Sequence, residues 1–156
     1  MIAMTGKWIA VVCGVFGFAS LAVAAADFSA VLDTLKKNGL PADVWYPKSA
    51  ISADFTCDGK PDLLIRGKRG QSAIVGLLPS TKGIAFGKPD IIDVSVMDLK
   101  TVRVVKEEQG CDGDGESLEG CKVVRGCWNF RVERDDIDSL HCWWDQRHRK
   151  VSCWVR

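Results

Sequence analysis

The apolar positions of this chain fall into three spacings, each predicting a different element. Residues 8–21 form an almost unbroken apolar run behind Lys7, followed by the small residues of 22–26. This is the layout of a secretory signal, with cleavage at Ala22-Val-Ala24 or Ala24-Ala-Ala26. Residues 1–26 are therefore expected to be removed, leaving 27–156 as a single exported domain. The rival is an uncleaved anchor, because the run approaches spanning length. No later run is long and apolar enough to span, so no membrane association is expected after cleavage.

Beyond it, Phe28, Val31, Leu32 and Leu35 recur at helical spacing and predict a helix over 27–40. Asp27 or Ser29 can cap it, Lys36 and Lys37 suit its last turn, and Gly39 and Pro41 stop it. One apolar stripe on a short helix predicts docking onto a sheet. The aromatics Trp45 and Tyr46 then pin a proline-containing connector to the core.

From residue 62 the spacing shortens. Residues 62–66 and 73–78 flank Gly67-Lys-Arg-Gly70 and predict a hairpin with a basic tip in water. Short β-branched runs follow at 84–86, 91–96 and 102–106. Residues 107–120 are polar, acidic and glycine-rich and read as a mobile loop, after which strand character returns around Trp128 and Phe130. The expected fold class is α+β: an N-terminal helix packed on one twisted, mainly antiparallel sheet of about six to eight strands, stapled by disulfides.

One register organises the C-terminal strands. With 146–149 as a four-residue loop, Asp145 faces Lys150, Cys142 faces Cys153 and His141 faces Trp154. Cys142, Trp144, Val151, Cys153 and Val155 then share a core-side face, and His141, Trp143, Ser152 and Trp154 share the other. His141, Trp143 and Trp154, near Arg149 or Arg156, form a candidate ligand-binding surface for a glycan or a protein, since rigid aromatics beside arginine make good anchors. The alternative is that a helix or loop covers them.

Composition narrows the function. The formal charge of the whole chain is +1, so no basic field exists to gather nucleic acid. Removal of Cys13 with the signal leaves Cys57, Cys111, Cys121, Cys127, Cys142 and Cys153, an even set that favours disulfides in an exported chain. The hairpin register predicts Cys142–Cys153, and the expected remaining pairs are Cys57–Cys111 and Cys121–Cys127. No C-x-x-C occurs, which disfavours zinc.

Residues 54–62, D-F-T-C-D-G-K-P-D, place Asp54, Thr56, Asp58 and Asp62 at intervals that can converge on a hard cation, with Gly59 at the sharp turn. A metal-free Asx-type turn explains the same spacing. Asp112, Asp114, Glu116 and Glu119 lack such a pattern and read as a solvated acidic loop. Neither His141 nor His148 sits in a G-x-S-x-G, H-E-x-x-H or Cys/His signature, so no catalytic residue is assigned.

The 54–62 segment resembles the calcium loop of FG-GAP-type repeats, with Thr56 in place of an acid or asparagine and only one copy present. Together with Glu119-Gly-Cys-Lys, Cys127 and Asp138-Ser-Leu-His-Cys-Trp-Trp144, it is also similar to a group of small secreted bacterial proteins of unknown function. That resemblance implies one compact domain and no assigned activity. The group carries a cysteine near position 137 and an aromatic at 153, so this chain's Ile137 and Cys153 imply a moved disulfide. The expected function is a non-enzymatic periplasmic or secreted binding protein, inhibitor- or immunity-like, for another exported protein or a glycan. The alternatives are a calcium-dependent ligand-binding module and a cell-wall hydrolase pairing Asp or Glu with His141.

Overall fold

The computed structural model describes residues 28–40, 44–81, 86–94, 102–113, 116–134 and 137–155. The signal-sequence reading, Asp27, Pro41, Asp114, Arg156, and residues 84, 85, 95 and 96 of the strands expected at 84–86 and 91–96 lie outside them. Half of the described residues are in strands and 12% are helical, which corrects the α+β expectation to a mainly β fold. Among the described residues there are eleven strands: β1 Val44–Trp45, β2 Ile51–Ala53, β3 Asp62–Arg69, β4 Ser72–Leu78, β5 Asp90–Asp93, β6 Arg103–Glu107, β7 Asp112–Gly113, β8 Glu116–Ser117, β9 Asn129–Arg134, β10 Ile137–Asp145 and β11 Lys150–Val155.

They form three sheets rather than one. Sheet 1 runs β1-β3-β4-β5, with β2 also paired to β3; sheet 2 runs β11-β10-β9-β6; β7 and β8 make a separate hairpin. All the named pairings are antiparallel. The reason for two stacked sheets lies in β4, where Ala73 to Leu78 are all buried. Alternate residues of a strand point to opposite faces, so such a strand needs a cover on each side. Ala73, Val75, Leu77 and Leu64 join Phe130, Val132 and Cys142 of sheet 2 in one core, where Phe55 meets Phe130 edge-on at 5.8 Å. Leu63, Ile65 and Leu78 point the other way, onto Val31 and Leu35 of the helix α1, Phe28–Lys37.

Ser29 lies inside α1 rather than capping it. The helix ends in a Schellman motif: Leu40 N–H donates to Leu35 O, Gly39 N–H donates to Lys36 O, and Gly39 takes φ 65°. The first hairpin turns at Gly70-Gln71, not at Gly67, because Arg69 pairs with Ser72. Gly67 is needed elsewhere. The Trp45 ring lies across it and Gly76, so close that a Cβ at Gly67 would sit 2.6 Å from the ring.

Three disulfides close the structure: Cys57–Cys127, Cys111–Cys121 and Cys142–Cys153. The bridge at 142–153 has the expected partners, on directly opposed residues with Cα atoms 4.1 Å apart, the close spacing of a non-hydrogen-bonded pair. The other two replace the expected Cys57–Cys111 and Cys121–Cys127. Cys111 and Cys121 flank the β7–β8 hairpin, which brings them together, while docking of the two sheets brings the 54–62 loop to the segment before β9. Disulfides of this number belong to an oxidising compartment. Among the described residues no helix is long and apolar enough to cross a membrane.

Candidate functional site

The outward face of sheet 2 is polar and aromatic because alternate residues of its strands send their apolar side chains to the sandwich core. On β10, Cys142 is buried in that core with Leu140 and Trp144 against it, which turns His141, Trp143 and Asp145 outward. On β9 the same alternation turns out Asn129 and Arg131. The register sets His141 opposite both Arg131 and Trp154. The β7–β8 hairpin, tied by Cys111–Cys121, folds over part of this face, and Gly113 lies against Leu118 and Trp154. The face expected to display two tryptophans is thus partly roofed: Trp143 is buried and Trp154 half-buried.

Between the hairpin and the sheet lies a cleft of about 260 Å³, lined by Glu107, Glu108, Asp112, Arg131, His141 and Trp154, with Asn129 and Trp143 in its wall. All three expected ligand-binding residues, His141, Trp143 and Trp154, therefore meet at one place. The His141 and Trp154 rings stack at 5.2 Å. His141 Nδ1 lies 3.2 Å from both carboxylate oxygens of Glu107, and the Arg131 guanidinium lies 3.7 Å from the same group. Asn129 donates to Gly110 O, while its Oδ1 and the Trp143 Nε1 are buried with no hydrogen-bond partner. A buried polar atom in that state costs about 1–3 kcal/mol, so the wall retains unused hydrogen-bonding capacity. Three carboxylates face one guanidinium and one imidazole, giving the cleft an acidic rim over an aromatic floor.

Glu107, Glu108, Asn129 and Arg131 were absent from the candidate residues. The polar alternation of Asn129, Arg131 and Glu133 around buried Phe130 and Val132 was the signal that could have found two of them.

The carboxylates of the expected cation loop accept hydrogen bonds from their own chain. Asp54 accepts the N–H groups of Asp58 and Gly59 at 3.1 and 2.9 Å. Asp58 accepts from the Lys60 N–H and pairs with its ammonium at 3.0 Å. Asp62 is buried and accepts the N–H groups of Phe55, Thr56 and Ser80. Burial pushes the Asp62 carboxyl above its ordinary value, against the pull of those donors. Asp58 thus makes the Asx-type bond to the backbone two residues on, and Asp62 closes the loop at the start of β3. Among the described residues no group of three acidic, histidine or cysteine side chains is placed to hold a metal ion.

Two further features complete the hairpin. Its turn is held by Asp145, which accepts from the backbones of Arg147 and His148 and lies 2.6 Å from His148 Nδ1. That imidazole holds the Asp145 carboxyl below the usual range. A larger cleft, about 640 Å³, lies between the 54–62 loop and the hairpin turn, and Arg149 lines it with Trp144 rather than joining Trp143 and Trp154. It contains none of the unpartnered buried atoms, two of which belong to the acidic cleft.

The fold and site together define a disulfide-braced β-sandwich with an acidic, aromatic-floored cleft on one outer face. No protein-family model, curated protein or solved structure matches the chain.

Proposed function

We propose that the protein is an exported, periplasmic or secreted binding protein that holds a basic side chain of another exported protein in the cleft on sheet 2. One observation carries this reading: the stacked His141–Trp154 pair lines one cleft together with Glu107, Glu108 and Asp112. A lysine or arginine head group set over such rings gains cation–π attraction as well as charge pairing. The cleft's volume suits one side chain better than an extended ligand. His141 is engaged by Glu107 and by the Trp154 ring, which favours a binding role over a hydrolytic one.

The test is a ¹⁵N-resolved NMR titration of the oxidised protein with capped arginine and lysine dipeptides, with a neutral disaccharide as control. The basic peptides are expected to move the indole N–H signals of Trp143 and Trp154, and Trp154→Ala or Glu107→Gln is expected to abolish the response. Equal movement with the disaccharide would favour a glycan, and no movement at millimolar peptide would refute the reading.

A further inference from the structure

A second surface, outside that cleft, is built for presentation. Only a few large apolar side chains stay exposed among the described residues, and two of them, Val123 at 70% and Val124 at 36%, are adjacent. They sit in residues 122–126, all exposed, between Cys121 and Cys127. Each end is anchored to a different part of the molecule: Cys121 to Cys111, and Cys127 to Cys57. Gln109, half-buried beneath the loop, accepts the Val124 N–H through Oε1 at 2.5 Å and donates from Nε2 to Cys57 Sγ at 3.4 Å. Val124 O accepts the Cys127 N–H at 3.1 Å, and Gly126 takes φ 86°, the positive φ a type II turn needs at its third residue.

Two of the three disulfides and a clamping glutamine thus hold five exposed residues in one shape. Fixing a loop before it binds removes the ordering cost that otherwise weakens association. The loop offers two β-branched residues between the exposed cations Lys122 and Arg125, a sequence that suits the cleft of a peptidase cutting after basic residues. If water opens the peptide bond after either cation, both new ends stay tethered, one through Cys121 and one through Cys127, so the nicked loop stays in place and the bond can reclose.

We infer that residues 122–126 are a peptidase-binding loop directed at trypsin-like enzymes. This goes beyond the cleft reading and does not depend on it. The test uses trypsin as the probe, with the full oxidised protein and a small chromogenic substrate. Stoichiometric inhibition is expected, with most of the protein recovered uncut. Replacing both Lys122→Ala and Arg125→Ala, which are exposed and leave the core untouched, should raise the inhibition constant about a hundredfold, as loss of a buried charge pair does. Gln109→Ala should raise it about three- to tenfold and speed cleavage, the effect of one lost hydrogen bond. Lys36→Ala, an exposed cation on α1 outside both sites, should leave it unchanged. Absence of inhibition at micromolar protein, rapid cleavage without inhibition, full inhibition by the Lys122/Arg125 double variant, or an equal loss in Lys36→Ala would each overturn the inference.

Discussion

The bridge Cys57–Cys127 should be the most stabilising of the three, and its removal gives the sharpest check on the connectivity. Its cysteines are 70 residues apart in sequence, against 10 for Cys111–Cys121. Restricting the unfolded chain by loops of those lengths is worth about 4.4 and about 2.7 kcal/mol in the chain-entropy model. The double variant Cys57→Ala/Cys127→Ala is therefore expected to be less stable than Cys111→Ala/Cys121→Ala by about 1.7 kcal/mol. Burial of Cys127 adds to the difference in the same direction. Equilibrium urea unfolding reads this as a midpoint lower by about 0.6–1.7 M. A thiol titration on chain 27–156 accompanies it, and neither variant should show a free thiol. If the true pairs were Cys57–Cys111 and Cys121–Cys127, each variant would break two bridges and expose two thiols. Equal midpoints, a reversed order, or two titrating thiols would refute the reasoning.

Other outcomes follow from single contacts. Gly67→Ala places a methyl 2.6 Å from the Trp45 ring and should cost about 1–3 kcal/mol by urea unfolding, with a shift in tryptophan emission as the ring is displaced. The two perturbed acids should bend the pH profile in opposite senses. Asp62 has a raised folded pKa, so its contribution is fully present below 3.8 and lost as pH rises through the higher folded value; stability relative to Asp62→Asn should fall across that window. Asp145 has a lowered folded pKa, so its contribution is present above 3.8 and lost as pH falls through the lower folded value; stability relative to Asp145→Asn should fall there. Because Asp54 and Asp62 already accept backbone N–H groups, thermal midpoints in millimolar calcium and in chelator should agree. A calcium-dependent rise would favour the cation-loop reading.

What could be read from the sequence was local. The stripe Phe28, Val31, Leu32 and Leu35 marks α1, and the opposed cysteines and end charges of 140–155 set a register that the structure reproduces pair by pair. What could not be read was partnership at a distance. The runs that became β5 and β6 are near neighbours in sequence and each centres on a β-branched pair, yet they join different sheets, and β6 pairs with β9. Nothing in either run encodes that choice, which follows from burying both faces of β4. The same non-local docking produced Cys57–Cys127. The cleft was half legible: period-2 alternation put His141, Trp143 and Trp154 on one face, but their acidic neighbours arrive from β6 and the β7–β8 hairpin.

The contact between Asp90 and β11 carries a consequence for how molecules of this protein meet one another. β11 is the outer strand of sheet 2, and the Val151 N–H is accepted by the Asp90 carboxylate from β5 of the other sheet. A bare rim of backbone donors invites a strand from a second molecule, the first step toward polymerisation. Here one such donor is already satisfied from within, by a charged group that a foreign strand would have to displace. The seam between the two sheets therefore also helps keep each copy separate when the chain is crowded.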